Sequence, residues 1–177
     1  MYQVICADPP WRIHAPGDPL RSPRSQGRYY QTMPLSEIKA LDAGSLAAKN
    51  CALFLWTIDT HLPQALDVIE AWGFSFRTIG FTWVKTTITG KFHVGCGWWT
   101  RANTELCLLA CRGKPSPQAK DVRRLVVSER REHSRKPDEV YQRIERLCQG
   151  PYVELFARCR RPGWDVAFSD QADRFPS

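Results

Sequence analysis

The chain has 177 residues, 43% of them hydrophobic, and a formal net charge of +7; that is enough apolar material for a single domain, 1–177, whose core needs no disulfides. The longest apolar stretches, near 51–56 and 106–111, fall far short of the roughly 20 residues of a membrane helix, and the start, Met-Tyr-Gln-Val-Ile-Cys-Ala, lacks the basic and cleavage regions of a secretory signal. A helical membrane protein, an exported protein and a disulfide-knit scaffold are set aside, and a cytoplasmic location is expected.

Val4-Ile5-Cys6-Ala7 is an unbroken apolar run stopped by prolines, the pattern of a parallel strand buried on both faces. Residues 12–33 are polar and rich in Pro, Gly, Ser and Arg, and loops of that length are usually functional lids or disordered. Pro34 then opens a helix through Leu35, Ile38, Leu41 and Leu46. A strand at 52–56, a helix at 62–72 stopped by Gly73, and an extended segment at 75–85 follow. Residues 86–101 form a second loop, with Gly90, Gly95 and Gly97, before strands at 106–111 and 125–127. Pro137 starts a helix through Val140, Ile144 and Leu147 that Gly150-Pro151 stops, and 152–157 is a further strand. This alternation predicts an α/β fold with a mostly parallel, doubly wound sheet. Ligands of such sheets bind at the carboxyl ends of the strands.

The seven cysteines include no Cys-x-x-Cys pair and read as buried thiols. His93, Cys96, Cys107 and Cys111 are the one set that could converge on zinc, but their spacing matches no zinc motif, so no metal is expected. Positive charge is clustered: Arg12, Arg21, Arg24 and Arg28 flank one acid, Asp18, and a second cluster runs from Arg112 to Lys136. A third is Arg158, Arg160 and Arg161. Beside the motif described next, these clusters favour a polyanionic partner, nucleic acid above all.

Asp8-Pro9-Pro10-Trp11 follows the first buried strand and so sits where a site belongs. Consecutive prolines fix the backbone and remove two amide donors, leaving carbonyl oxygens to accept hydrogen bonds. Asp8 with such a carbonyl can take both hydrogens of an exocyclic amine and hold its lone pair toward an electrophilic methyl group. Trp11 offers a flat face for an unstacked base. A turn followed by a core tryptophan is the bland alternative.

With this tetrapeptide the sequence resembles the DPPW-type adenine amino methyltransferases, the family of the eukaryotic mRNA adenine methyltransferase catalytic subunit and of short bacterial and phage members. The resemblance extends to Tyr30-Gln31-Thr32-Met33, Trp83-Val84-Lys85-Thr86, Trp98-Trp99 with Glu105, Ser134-Arg135-Lys136-Pro137-Asp138-Glu139, and Glu154-Leu155-Phe156-Ala157-Arg158 leading to Gly163-Trp164. It implies a Rossmann-like methyltransferase fold with permuted motif order and S-adenosylmethionine as cofactor. It further implies that Asp8, Pro9, Pro10 and Trp11 are catalytic. Lys136 would meet the cofactor's carboxylate, Leu155, Phe156 and Arg158 would lie beside its adenosine, and Asp8, Ser169 and Asp170 would complete that site. Ser169-Asp170 stands where members often carry Asn then Gln or Glu, and Arg160 replaces a histidine of the eukaryotic subunit. The loops at 12–33 and 86–101 would close over the target nucleoside, placing Trp11, Arg28, Tyr30, Lys85, Trp98 and Glu105 on the substrate.

The sequence is thus expected to encode an enzyme that methylates the exocyclic amine of adenine, in DNA by its likeness to the compact bacterial and phage members. An RNA adenine methyltransferase and a catalytically silent nucleic-acid-binding subunit are the alternatives, and a cytosine amino methyltransferase is disfavoured by the tryptophan. Monomer and homodimer both stay open.

Overall fold

The computed structural model describes residues 1–12, 32–95, 97, 99–131 and 135–169. Seven strands form one sheet: β1 (Tyr2–Ala7), β2 (Ala47–Thr57), β3 (Ser75–Thr86), β4 (Thr104–Arg112), β5 (Leu125–Glu129), β6 (Tyr152–Leu155) and β7 (Trp164–Ala167). Their spatial order is β5-β3-β4-β2-β1-β6-β7. Only β4 runs against its neighbours, antiparallel to both β2 and β3; the β1–β2, β1–β6, β6–β7 and β3–β5 pairs are parallel. The mixed α/β architecture and mostly parallel sheet agree with a Rossmann-like methyltransferase fold.

Among the described residues four α-helices cover the sheet: α1 (Leu35–Ala40), α2 (Ala43–Leu46), α3 (Leu62–Ala71) and α4 (Asp138–Leu147). Alternation along β1 divides the core between two faces, as the period-2 geometry of a strand requires. Ile5 and Ala7 pack with Ile38, Ala65, Val68 and Ile69 of α1 and α3, while Val4 and Cys6 pack with Val140, Tyr141 and Ile144 of α4. The sheet is doubly wound in that sense. The chain leaves β1 over the first face and reaches β6 from α4 on the second, so the carboxyl ends of β1 and β6 form the crevice where ligands of open α/β sheets bind.

Several boundaries differ from expectation. The helix foreseen through Leu46 is two helices, because the chain turns extended at Leu41 and restarts at Asp42, whose carboxylate accepts from the Ser45 N–H. β2 begins at Ala47, earlier than the 52–56 apolar run, and its start escapes the apolar pattern because Lys49 and Asn50 are exposed. β6 stops at Leu155, since Phe156 has φ 62°, outside strand geometry. β7 was not foreseen as a strand at all.

Candidate active site

The carboxyl edge of the sheet gathers residues from five parts of the chain. Asp8 follows β1, Arg158 follows β6, Lys85 is the last residue but one of β3, Glu105 is the second of the antiparallel β4, and Lys136 precedes α4. Antiparallel β4 matters here: its direction brings Glu105, near the strand's first residue, to the edge where its neighbours end.

These side chains form one alternating series of charges. Lys85 Nζ lies 2.5 Å from Glu105 Oε1, Glu105 Oε2 lies 3.0 Å from Lys136 Nζ, and Lys136 Nζ lies 2.8 Å from Asp8 Oδ2. Arg158 closes the series on the same Asp8 oxygen at 3.4 Å. The Lys136 side chain is 6% exposed and that of Glu105 is 7%. Burial alone would lower the lysine's pKa, but Asp8 and Glu105 reverse that and hold the ammonium well above its ordinary value. Burial likewise opposes ionisation of Glu105, yet Lys136 and Lys85 keep its carboxyl below the ordinary range. Two indole faces line the series: Lys136 Nζ stands 5.3 Å from the Trp56 ring centre and Lys85 Nζ stands 5.1 Å from that of Trp83. Trp56, read from sequence only as part of an apolar strand, is thus a wall of the site.

Asp8 therefore presents a carboxylate whose two cations share one oxygen. Oδ1 takes no hydrogen bond from the described residues. The prolines behave less simply than expected. The Pro9 carbonyl accepts the Trp11 N–H at 2.8 Å and the Pro10 carbonyl accepts the Met33 N–H at 2.8 Å, so each already has one partner and keeps one lone pair. Trp11 is 7% exposed, and its indole N–H donates to the Trp56 carbonyl at 3.1 Å. In this arrangement Trp11 anchors the motif to β2.

Leu155 is fully buried, so only its backbone reaches the site, where its carbonyl faces the Asp8 N–H at 3.5 Å. Phe156 is partly buried and packs against the first core face. The Ser169 hydroxyl donates to the Ala157 carbonyl at 2.5 Å, tying the segment after β7 to the turn after β6. Arg28, Tyr30, Trp98 and Asp170 lie outside the described residues. Trp99 is wholly exposed. Cys107 and Cys111 stand four residues apart on β4, about 13 Å along a strand, too far for one ion, and Cys96 lies outside the described residues.

A second polar group, missed in the sequence, lies behind Asp8. The Tyr141 hydroxyl donates to Glu154 Oε1 at 2.6 Å, and Arg161 stacks on the Tyr141 ring at 3.6 Å while donating both terminal nitrogens to Asp138. Burial pushes the Glu154 carboxyl up to about 7, against the opposing pull of Tyr141 and Arg161. Glu154 reads as the middle of a short apolar strand, and only the parallel register setting it opposite Cys6 reveals its place.

A cavity of about 690 Å³ lies at the opposite edge, lined among others by Gln3, Lys49, Asn50 and Gln149. It touches none of the charged series, and its size does not make it the reactive site.

S-adenosylmethionine carries a carboxylate, an ammonium and a sulfonium. The residues at the β1–β6 crevice fit such a mixed charge: Lys136 and Arg158 suit the carboxylate, and Asp8 suits a cation.

Comparison with known proteins accords with this geometry. The MT-A70 family model matches residues 2–167. The type II methyltransferase M.MunI of a Mycoplasma species is 33% identical over 181 residues, covering 93% of this chain and 75% of its own length. The N(6)-adenosine-methyltransferase MT-A70-like protein of Arabidopsis thaliana is 33% identical, covering 92% of this chain and 23% of its own. The N(6)-adenosine-methyltransferase catalytic subunit METTL3 of Homo sapiens is 32% identical, covering 97% and 28%. The chain thus spans about three quarters of the type II methyltransferase and about a quarter of the adenosine methyltransferases, and it belongs to the MT-A70 family.

Proposed function

We propose that residues 1–177 are a single S-adenosylmethionine-dependent methyltransferase domain that acts on the exocyclic amine of adenine in DNA. The observation that carries the reading is Asp8: a carboxylate at the crevice between β1 and β6, held through one oxygen by Lys136 and Arg158, with the other oxygen available for a donor. The cofactor, when bound, supplies the electrophilic methyl group. The chain's own residues supply orientation. Asp8 Oδ1 accepts one amine hydrogen, and a proline carbonyl accepts the second with its remaining lone pair. The nitrogen lone pair is thereby aimed out of the base plane. Asp8 orients the amine, and the displaced proton leaves to water after transfer. Lys136 holds Asp8 and Glu105 in place while meeting the cofactor's carboxylate, with Arg158, Phe156 and Ser169 around the nucleoside part.

DNA is the favoured polymer because the chain covers 75% of the type II methyltransferase, against about a quarter of the N(6)-adenosine methyltransferases. The named N(6)-adenosine relatives support RNA as the second reading. Mass spectrometry of nucleosides from separate DNA and RNA digests of a host expressing the protein decides between them. N6-methyladenine in DNA alone is expected. Its appearance only in RNA overturns the polymer assignment, and its absence from both, in a host making folded protein, overturns the reaction.

A further inference from the structure

Beside the reactive edge lies a second, strongly basic cavity that neither the catalytic motif nor the cofactor site uses. It measures about 530 Å³ and is lined by Glu129, Arg130, Arg131 and Arg135. Its place follows from the backbone. The Arg130 N–H donates to the Thr86 carbonyl at 3.0 Å, which fixes the end of β5 against the end of β3 one residue beyond Lys85. Arg135 is the residue before Lys136, whose ammonium touches Asp8. The cavity is therefore one residue away from the charged series on two sides.

Among the described residues its charge is not balanced from within. Arg131, Arg135 and Arg161 all turn toward the single carboxylate of Asp138, Arg161 at 3.2 Å and Arg135 at 3.7 Å. One carboxylate offers about four acceptor sites, whereas each guanidinium carries five N–H donors. Nε of Arg135 and of Arg161 are buried with no hydrogen-bond partner among the described residues. Arg130, exposed at the cavity mouth, makes no ion pair among them. Among the described residues Glu129 is the one carboxylate in the wall, against three guanidiniums. Guanidiniums held at fixed spacing by a shared acid are pre-organised for bidentate contact with an anion of phosphate geometry. His93 lies close by, its N–H donating to the Lys85 carbonyl at 2.9 Å, and burial with the nearby charges of Arg130 and Lys85 keeps its imidazole below the ordinary range.

We infer that Arg130, Arg131 and Arg135 form a backbone clamp that binds phosphodiester groups flanking the target nucleotide and so positions the strand over Asp8. This rests on the nucleic-acid reading above. Asp138 acts as the brace that sets the spacing of Arg131 and Arg135. Because the clamp touches phosphates and no base edges, it contributes register and affinity without sequence preference.

The test uses the full chain with Arg130→Gln, Arg135→Gln and the double variant, and Arg135→Lys as the charge-keeping control. Binding to a fluorescein-labelled DNA duplex, its separated strands and the matching RNA is followed by anisotropy across a salt series. Each arginine removed is expected to make the slope of log K against log salt shallower by about 0.7–0.9 and to weaken binding by about tenfold at low salt. KM for the oligonucleotide should rise with kcat nearly unchanged, and calorimetric affinity for S-adenosylmethionine should stay as in the parent. Arg135→Lys should restore the salt slope. Arg130→Gln disturbs no ion pair of the described residues, so it remains informative if Arg135→Gln folds poorly. A parent protein that binds and methylates nucleic acid, with an unaltered salt slope and KM in Arg130→Gln and the double variant, overturns the clamp while leaving the function standing. A parent that binds no nucleic acid overturns both.

Discussion

Asp8 carries two duties, and substitutions separate them. As a partner of buried Lys136 it helps neutralise an ammonium that is 6% exposed, and breaking such a pair commonly costs about 3–5 kcal/mol of stability. As the acceptor for the target amine it contributes to turnover. Asp8→Ala removes both, so Asp8→Asn is the cleaner variant, because it keeps the shape and one acceptor oxygen while removing the charge. It is expected to lower turnover by about 10²-fold or more in a tritium-transfer assay, with a circular dichroism spectrum like the parent's. Full turnover in Asp8→Asn excludes a need for the carboxylate charge, and full turnover in folded Asp8→Ala excludes the orienting role. Lys136→Ala is expected to weaken S-adenosylmethionine binding by about 1.5–3 kcal/mol, the scale of a charge-assisted hydrogen bond. It also leaves Asp8 and Glu105 without the ammonium between them, so calorimetry is run on the fraction that remains folded. Unchanged affinity there removes Lys136 from the cofactor site. Sequence singled out Asp8, Lys85, Glu105, Lys136 and Arg158 one by one. That they form one series could not be read there, because the contacts join residues up to 150 positions apart.

The elements were legible where burial is regular and obscure where it is not. β1 and α4 have unbroken or strictly periodic apolar patterns, and the structure places them where those patterns point. The direction of β4 had no signal, since apolar periodicity is the same for a strand run either way, yet it decides that Glu105 reaches the site. β7 has four residues, of which only Trp164 is buried, too little pattern for any reading of periodicity. Arg112 shows the converse error. In sequence it opens a basic cluster facing a polyanion; in the fold its guanidinium donates to the carbonyls of Gly44, Trp72 and Gly73 and stacks on Phe74 at 5.2 Å. It joins α2 to the carboxyl end of α3, where the Trp72 and Gly73 carbonyls lie beyond the helix, and shares the Gly44 carbonyl with the Ala47 N–H. Its terminal nitrogen would lie 2.7 Å from a Cβ at Gly73, whose φ is 78°, so a glycine is required there on both counts. Arg112→Ala is expected to lower stability by about 2 kcal/mol in urea titration while leaving nucleic-acid affinity unchanged. A variant with parental stability and weakened binding returns Arg112 to the polyanion surface.

At the scale of the whole molecule, the buried charges make stability depend on pH in two opposed ways. Glu105 and Asp138 have carboxyl pKa values below their ordinary 4.5 and 3.8 despite partial or full burial, because Lys136 and Lys85 favour the first carboxylate and Arg131 and Arg161 the second. The stability they give is present above those ordinary values and is lost as pH falls through the depressed ones. Glu154 acts with the opposite sign. Burial lifts its pKa from 4.5 to about 7, so between these values the folded chain holds a proton that the unfolded chain has released. Its contribution is complete below pH 4.5, declines as pH rises, and is gone above about 7, a loss on the order of 3 kcal/mol. The melting temperature is therefore expected to be highest in mildly acid solution and to fall toward neutrality. Glu154→Gln keeps an acceptor for the Tyr141 hydroxyl and has no proton to lose, so in that variant the decline between pH 4.5 and about 7 should flatten while the acid limb from Glu105 and Asp138 remains. Calorimetric scans across that range decide it: a Glu154→Gln variant that melts with the parent's neutral-side slope shows that some other group binds the extra proton.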